Sequence, residues 1–408
     1  MNEIIYLDNA ATTKPFPEVV AEVMPYITNV YGNPNSKHNA GFEAKKAIEL
    51  ARQRVARFIN ADPEQIVFTS GGTEANNMVF EMLAPYLRKN NLTVVTSKIE
   101  HESILKKVEE LHDRYGIDVR YVEVNSRGFI KPSDEVLDLI DEGRVGLISV
   151  MSANNETGIE VNIKPLFEYA RQHSDYTFLH TDCVQFAGVE PIDVQEIDCD
   201  FLSLSAHKIH GLKGCGALYV AHRSDELTGY KPLIYGGSDQ EWGLRGGTQN
   251  VPAIVGFGKA CDVLMEPNTC VNEAYIALHN LSATFLTRLE TEAQKRGIKY
   301  VVNSDTVKVA NIRFDGVDAE TLVLMLASKG VCVSAGSACR SNESEPSYVL
   351  RAFGLTSEQA RNSIRVSFST DNTRDELCEA AKIIAECVEV LKCGQTDQVA
   401  DQVADQDT

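Results

Sequence analysis

From about residue 60 to residue 220 the chain repeats one pattern, a short apolar run followed by a longer amphipathic stretch. Ile66–Thr69, Val94–Ser97, Val119–Val124, Val145–Met151, Thr177–Asp182, Phe201–Ser205 and Ala217–Val220 read as strands. Several are β-branched and apolar at nearly every position, which suits strands covered on both faces. Glu74–Asn90, Ser103–Tyr115 and Lys164–His173 carry helical periodicity between them. Strands alternating with helices build a largely parallel sheet between helical layers. The expectation is therefore an α/β fold with a mostly parallel, seven-stranded sheet flanked by helices. The last two strands lie too close for a crossover helix, so one strand is expected to run antiparallel.

After about residue 256 the texture changes. A long helical stretch, Asn272–Arg296, precedes short strands near Val309–Arg313 and Ile364–Phe368 and a final helix to about Lys392. This reads as a smaller α+β domain. The expected division is a large domain over 14–255 and a small one made of 1–13 and 256–394. Residues 395–408 repeat Asp-Gln-Val-Ala, are acidic and lack a core-forming face, so they read as a disordered tail.

The formal net charge of −19 argues against nucleic acid as a partner, because phosphate binding needs clustered Lys and Arg. No apolar run is long enough to span a bilayer, and no membrane association is expected. The start lacks a basic segment followed by an apolar one, so no signal peptide is read there. The 10 cysteines include no C-x-x-C pair and read as reduced thiols, with the cytoplasm as the expected compartment. No metal site is expected.

Four segments that follow strands carry chemistry. Ser70-Gly71-Gly72-Thr73-Glu74 opens a helix, where glycines and unpaired amides can receive an anion; alone it is equally a tight turn. Ser203-Leu204-Ser205-Ala206-His207-Lys208 places a lysine at the end of a buried strand, where desolvation favours nucleophilic use. Ser205 and His207 beside it suit a phosphate. His180-Thr181-Asp182 puts an acid at another strand end, the partner a pyridinium nitrogen needs behind a Lys Schiff base; a helix N-cap is the plainer alternative. Glu100-His101 places a His at a strand-to-helix junction, where it could stack on a ring and move protons. An anion turn, an acid, a His and a Lys at successive strand ends point together to a ligand at that edge of the sheet.

The set Tyr6-Leu7-Asp8-Asn9-Ala10-Ala11-Thr12-Thr13, Gly32-Asn33-Pro34, Gly71-Gly72-Thr73-Glu74-Ala75-Asn76-Asn77, Glu100-His101, Asn154-Asn155-Glu156-Thr157-Gly158, Thr181-Asp182, Ala206-His207-Lys208 and Arg245-Gly246-Gly247-Thr248 resembles the NifS/IscS-type cysteine desulfurases. These are fold-type I, class V aminotransferase-like enzymes that use pyridoxal 5'-phosphate. The likeness runs in order from about residue 4 to residue 390. It implies that Lys208 binds the cofactor covalently, that Asp182 meets the pyridine nitrogen and that His101 stacks on the ring. It implies that Asn155 and Gln185 lie near the phenolic oxygen and substrate, and that Gly72, Thr73, Ser205 and His207 hold the phosphate. Thr248 is then a phosphate ligand given to the other subunit of a homodimer, and Arg365 forks onto the substrate carboxylate.

The segment Val333-Ser334-Ala335-Gly336-Ser337-Ala338-Cys339-Arg340-Ser341 resembles the family's sulfur-accepting loop. The implied reaction takes sulfur from L-cysteine, releases L-alanine and leaves a persulfide on Cys339. A sulfur-acceptor protein is the implied partner, serving iron–sulfur cluster assembly or tRNA thiolation. The catalytic set is then Lys208, Cys339 and His101. A selenocysteine lyase or another enzyme of the same fold is the alternative. The chain departs from the family at Cys183, where a small apolar residue is usual, at Leu212, which replaces a frequent Pro, and at Arg340.

Overall fold

The computed structural model of the protein describes residues 4–221, 231–237, 240–267, 269–336 and 345–404, with side chains described to residue 393. The strands are β1 (Ile5–Tyr6), β2 (Ile66–Thr69), β3 (Thr93–Ser97), β4 (Val119–Val124), β5 (Ile130–Lys131), β6 (Val145–Ser149), β7 (Phe178–Asp182), β8 (Phe201–Ser205), β9 (Gly216–Val220), β10 (Val301–Asp305), β11 (Val309–Arg313), β12 (Val331–Cys332) and β13 (Ser363–Ser367). They fall into two compact units. The larger comprises 13–154 and 160–273; the smaller comprises 1–12, 155–159 and 274–408.

In the larger unit an eight-stranded sheet has the order β2-β9-β8-β7-β6-β3-β4-β5. The pairs β3–β4, β3–β6, β6–β7 and β7–β8 are parallel. β9 runs antiparallel to both of its neighbours, β2 and β8, as the short β8–β9 connection requires. The sheet is thus the expected mostly parallel α/β sheet, with one strand more than the seven read from sequence. The addition, β5, is two residues long and pairs antiparallel with β4 at the edge. A two-residue, partly exposed strand is too short to leave a period-two pattern.

Strands β2, β3, β6, β7, β8 and β9 are buried at every position, whereas β4, next to the edge, is buried only at Val122 and Val124. The helix Gly72–Asn90 packs Phe80, Leu83 and Leu87 into a cluster with Phe178, Phe201 and Leu218. Each such side chain contributes about 1.5–3 kcal/mol by leaving water. Gly146 lets this helix close on β6, since a Cβ there would lie 2.4 Å from Leu87 Cδ2. The order reverses at β3, with β4 on one side and β6 to β8 on the other. Such a reversal opens a crevice at the carboxyl ends of the strands, where open α/β sheets bind ligands.

The smaller unit holds the antiparallel sheet β10-β11-β13 and the parallel pair β1–β12. Its core includes Phe285, Phe314, Leu322, Phe368 and Leu377, each 0% exposed. The Phe285 and Phe368 ring centroids are 5.5 Å apart. Its last helix spans Arg374–Ala404. Among the described residues no helix is long and apolar enough to cross a membrane.

Candidate active site

At the end of β2 the chain turns through Ser70 and Gly71 into the helix Gly72–Asn90. The first helical bond runs from Ala75 N to Gly71 O, so the amides before it point out of the helix end. The turn sits hard against its neighbours. A Cβ on Gly72 would lie 2.6 Å from Val184 Cγ2, and one on Gly216 would lie 2.7 Å from Gly71 Cα. Ser205, buried, closes β8 beside this turn; Thr73 is exposed.

His207 and Lys208 follow Ser205 in a short turn, and both are half-buried. Thr13 grips this turn from both sides. Its N–H and hydroxyl donate to His207 O (2.9 and 3.0 Å), and its Oγ1 accepts from His210 N (2.8 Å). His210 adopts φ 65° and stacks on Phe16, with centroids 4.2 Å apart. Sequence reading had no signal for Thr13 as the staple of the lysine turn.

Asp182 ends β7 and is 5% exposed. Its Oδ1 accepts from Val184 N (2.9 Å) and its Oδ2 from Asn76 Nδ2 (2.7 Å). His101 caps the helix Glu102–Tyr115, its Nδ1 accepting from Ser103 N at 3.1 Å. Burial lowers the His101 pKa; the Lys208 charge acts the same way, against the Asp182 and Glu102 carboxylates. Burial thus favours the neutral ring, which lies in the field of both Asp182 and Lys208. Gln185 is buried in the segment after β7.

Glu100, adjacent to His101, is 0% exposed. Both of its oxygens accept from Met151 N at 3.1 Å, and the Ser97 hydroxyl donates to Oε1. Burial pushes its carboxyl up to about 8, with the Asp182 charge adding to the rise. His180 is an ordinary core histidine: its ring nitrogens meet Ser149 Oγ (2.8 Å) and Ser203 Oγ (3.0 Å), and burial lowers its pKa to about 3. Cys183 is 0% exposed and burial pushes its thiol up to about 12, which disfavours the reactive thiolate.

Thr248 is exposed. The segment carrying it is tied to the anion turn by Arg245, whose Nε donates to Glu74 Oε1 (2.9 Å). Elsewhere in this unit a cavity of about 770 Å³ is lined by Lys37, Arg52, Glu241 and Trp242, among others, and by none of the candidate catalytic or cofactor-binding residues.

Asn155 and Arg365 belong to the smaller unit. Arg365, on β13, is 1% exposed. Its Nη2 donates to Asp8 Oδ1 (2.7 Å) and Ser334 Oγ (3.2 Å), and its Nη1 to Asn155 O (2.8 Å). Arg365 Nε and Asn155 Oδ1 are buried with no partner among the described residues. Cys339 lies outside the described residues. The residues flanking its segment converge on Glu156, which is 1% exposed. Ser347 donates its hydroxyl to Glu156 Oε2, and a Cβ on Gly336 would lie 3.6 Å from that same oxygen.

One edge of the larger unit thus carries Gly72, Thr73, His101, Asp182, Ser205, His207 and Lys208, while Asn155 and Arg365 form a separate cluster in the smaller unit. Residues 5–379 match the family described as Aminotransferase class-V. The chain belongs to that family. Within this class-V family it is 37% identical over 394 residues to a protein named cysteine desulfurase IscS from Methanosarcina thermophila, covering 96% of this chain and 93% of that one. A solved structure titled NIFS-like protein superposes with TM-score 0.83 at 31% identity, covering 95% of this chain and 100% of that one. Another, titled SspA in complex with cysteine, superposes with TM-score 0.73 at 30% identity over 90% of this chain and 99% of that one. The chain is thus similar along nearly its whole length to a class-V member named cysteine desulfurase.

Proposed function

We propose that this protein is a cysteine desulfurase that takes the sulfur of L-cysteine onto Cys339, releases L-alanine and passes the resulting persulfide sulfur to an acceptor protein. The observation that carries this reading is the placement of His101, Asp182 and Lys208 just after the ends of β3, β7 and β8, on one edge of the sheet. The full-length likeness to proteins named cysteine desulfurase supports it.

The residues present fit pyridoxal phosphate. The helix amides after Gly71, with Thr73, Ser205 and His207, form a donor set for a phosphate, and the close packing of Gly72 on Val184 leaves that turn no side chain to block it. When bound, this cofactor supplies an aldehyde for an amine and a protonated ring that draws electrons from the substrate Cα. Asp182, with N–H donors on both oxygens, presents a carboxylate to keep the ring nitrogen protonated. Lys208 would hold the aldehyde and is the amine that would take the Cα proton. His101 offers a neutral imidazole to move a proton. Asn155 and Gln185 would serve the phenolic oxygen and the substrate. Arg365 takes the substrate carboxylate through its unpaired Nε edge. The Cys339 thiolate bonds to the substrate sulfur as the C–S bond breaks. Thr248 serves the phosphate of a second copy, so the working form is a homodimer.

Incubation with L-cysteine should yield alanine and a persulfide on Cys339, and borohydride should fix the cofactor to Lys208. Cys339→Ser should still bind cysteine and change the visible absorbance but release no alanine. Alanine released at the normal rate by Cys339→Ser would sink the assignment.

A further inference from the structure

The hydrogen bonds around Asp182 continue beyond it. Asn76 is 0% exposed and gives Nδ2–H to Asp182 Oδ2 (2.7 Å) and to Ser103 Oγ (2.9 Å). Ser103 Oγ in turn lies 2.8 Å from His101 Nδ1. The direction of this chain follows from its ends. The Asp182 carboxyl receives N–H groups on both oxygens and acts only as an acceptor. Asn76 must therefore turn its NH₂ toward Asp182, which leaves its Oδ1 buried with no partner among the described residues. The opposite amide orientation would set an oxygen against a carboxylate.

The second hydrogen of that NH₂ goes to Ser103 Oγ, so the Ser103 hydroxyl has its own hydrogen left to give. His101 Nδ1 is where it points, and the Ser103 backbone N–H donates to the same nitrogen at 3.1 Å. Asn77 pins Ser103 further, its Nδ2 donating to Ser103 O at 3.1 Å. With two donors aimed at it, Nδ1 is an acceptor and the ring proton sits on Nε2.

We infer that Asn76 and Ser103 are positioning residues through which the Asp182 carboxylate sets the tautomer of His101, holding its proton on Nε2. This rests on the proposed function only in giving that proton a use. The acid that would meet the pyridine nitrogen and the histidine that would move protons are then one hydrogen-bonded unit, and Nε2 is the nitrogen presented for proton transfer. The charged groups that act on His101 are Asp182 and Glu102, which favour its protonation, and Lys208, which opposes it along with burial. Losing a donor to Nδ1 favours the imidazolium, because protonated Nδ1 no longer faces as many hydrogens.

The test is two-bond ¹H–¹⁵N spectroscopy of the holoprotein labelled with [¹⁵N]histidine, which has 9 histidines, with His101 assigned by its loss in His101→Gln. The wild type should show the Nε2–H form near neutral pH. Asn76→Ala and Ser103→Ala should each raise the His101 titration by roughly half a pH unit or more. Ser103→Thr, which keeps Oγ, should remain near wild type. A wild-type Nδ1–H tautomer overturns the inference without any variant, as does an unshifted titration in Ser103→Ala or a Ser103→Thr that behaves like it. A shift in Ser103→Ala but not in a folded Asn76→Ala also overturns it, since Asn76 would then not orient the hydroxyl. If Asn76→Ala does not fold, the wild-type spectrum and the Ser103 pair decide. The spectra require no turnover. An inactive protein with the Nε2–H form defeats the proposed function alone, and an active one with the Nδ1–H form defeats this inference alone.

Discussion

At the strand ends of the larger unit, Asp182 has a hydrogen bond on each oxygen, and Glu100 holds Met151 N and the Ser97 hydroxyl. In the smaller unit, Arg365 is just as deeply buried and reaches Asp8, Ser334 and Asn155 O, yet its Nε and Asn155 Oδ1 have no partner among the described residues. A buried polar atom left unpaired costs about 1–3 kcal/mol. A folded protein tolerates that where a ligand will make the missing bond. The larger unit has such an atom too, Asn76 Oδ1, left over because its NH₂ turns to Asp182, so there the unpaired atom follows from wiring one polar group to the next. The smaller unit keeps an edge of its guanidinium in reserve.

The comparison breaks most visibly at Lys208. Lys208→Ala should lose the covalent cofactor link and lower turnover by roughly 10³-fold or more, while Thr13 still holds the turn through backbone atoms. Borohydride labelling and alanine release measure this together; a variant that turns over normally would show that the wired cluster is not the reactive one.

Next in size is Arg365→Lys, which keeps the charge and removes the second prong. The KM for cysteine should rise roughly ten- to hundredfold, more than kcat falls. If kcat alone suffered, the reserved edge would not be the carboxylate grip.

Glu100 gives an effect on stability. Its folded pKa, about 8, is raised above the ordinary value of 4.5. The stability it contributes is therefore fully present below about pH 4.5 and is lost as pH rises toward about 8. The thermal midpoint should fall across that window, and Glu100→Gln should flatten the fall. A midpoint that rises there in the wild type, with no change in the variant, would remove Glu100 as the cause. His180 works in the other direction, its contribution being lost as pH drops from 6.5 toward about 3.

The smallest change expected is at Cys183. Cys183→Ala removes a thiol that burial has already silenced. Activity should stay within about twofold, with a stability loss of about 1 kcal/mol from the lost sulfur. A large fall in persulfide formation would mean that this buried thiol takes part after all.

How much could be read beforehand differs by residue. The strand ends that carry His101, Asp182 and Lys208 were legible because each follows a run of apolar residues. Cys339 could be singled out only by resemblance and lies outside the described residues. Asn76 and Glu100 stood in quoted motifs without a reading of their own. An asparagine on a helix and an acid before a histidine have many ordinary uses, and nothing local marks either as a partner for a distant group.

By itself the sequence determined seven strands of the large sheet and that one of them runs antiparallel. Strands covered on both faces must be apolar throughout, and a ten-residue link between β8 and β9 leaves no room for a crossover. Tertiary structure alone decided that Asn155–Ile159 joins the smaller unit. There Gly158, at φ 69°, lies so close to Thr306 that a Cβ would come within 2.3 Å of its hydroxyl. It also decided that Asn76 meets Asp182, 106 residues away, and that Asp8 meets Arg365, 357 residues away. Periodicity records which side of an element is buried, because neighbouring residues share that element. Which distant side chain waits on the other side is settled only when the elements pack.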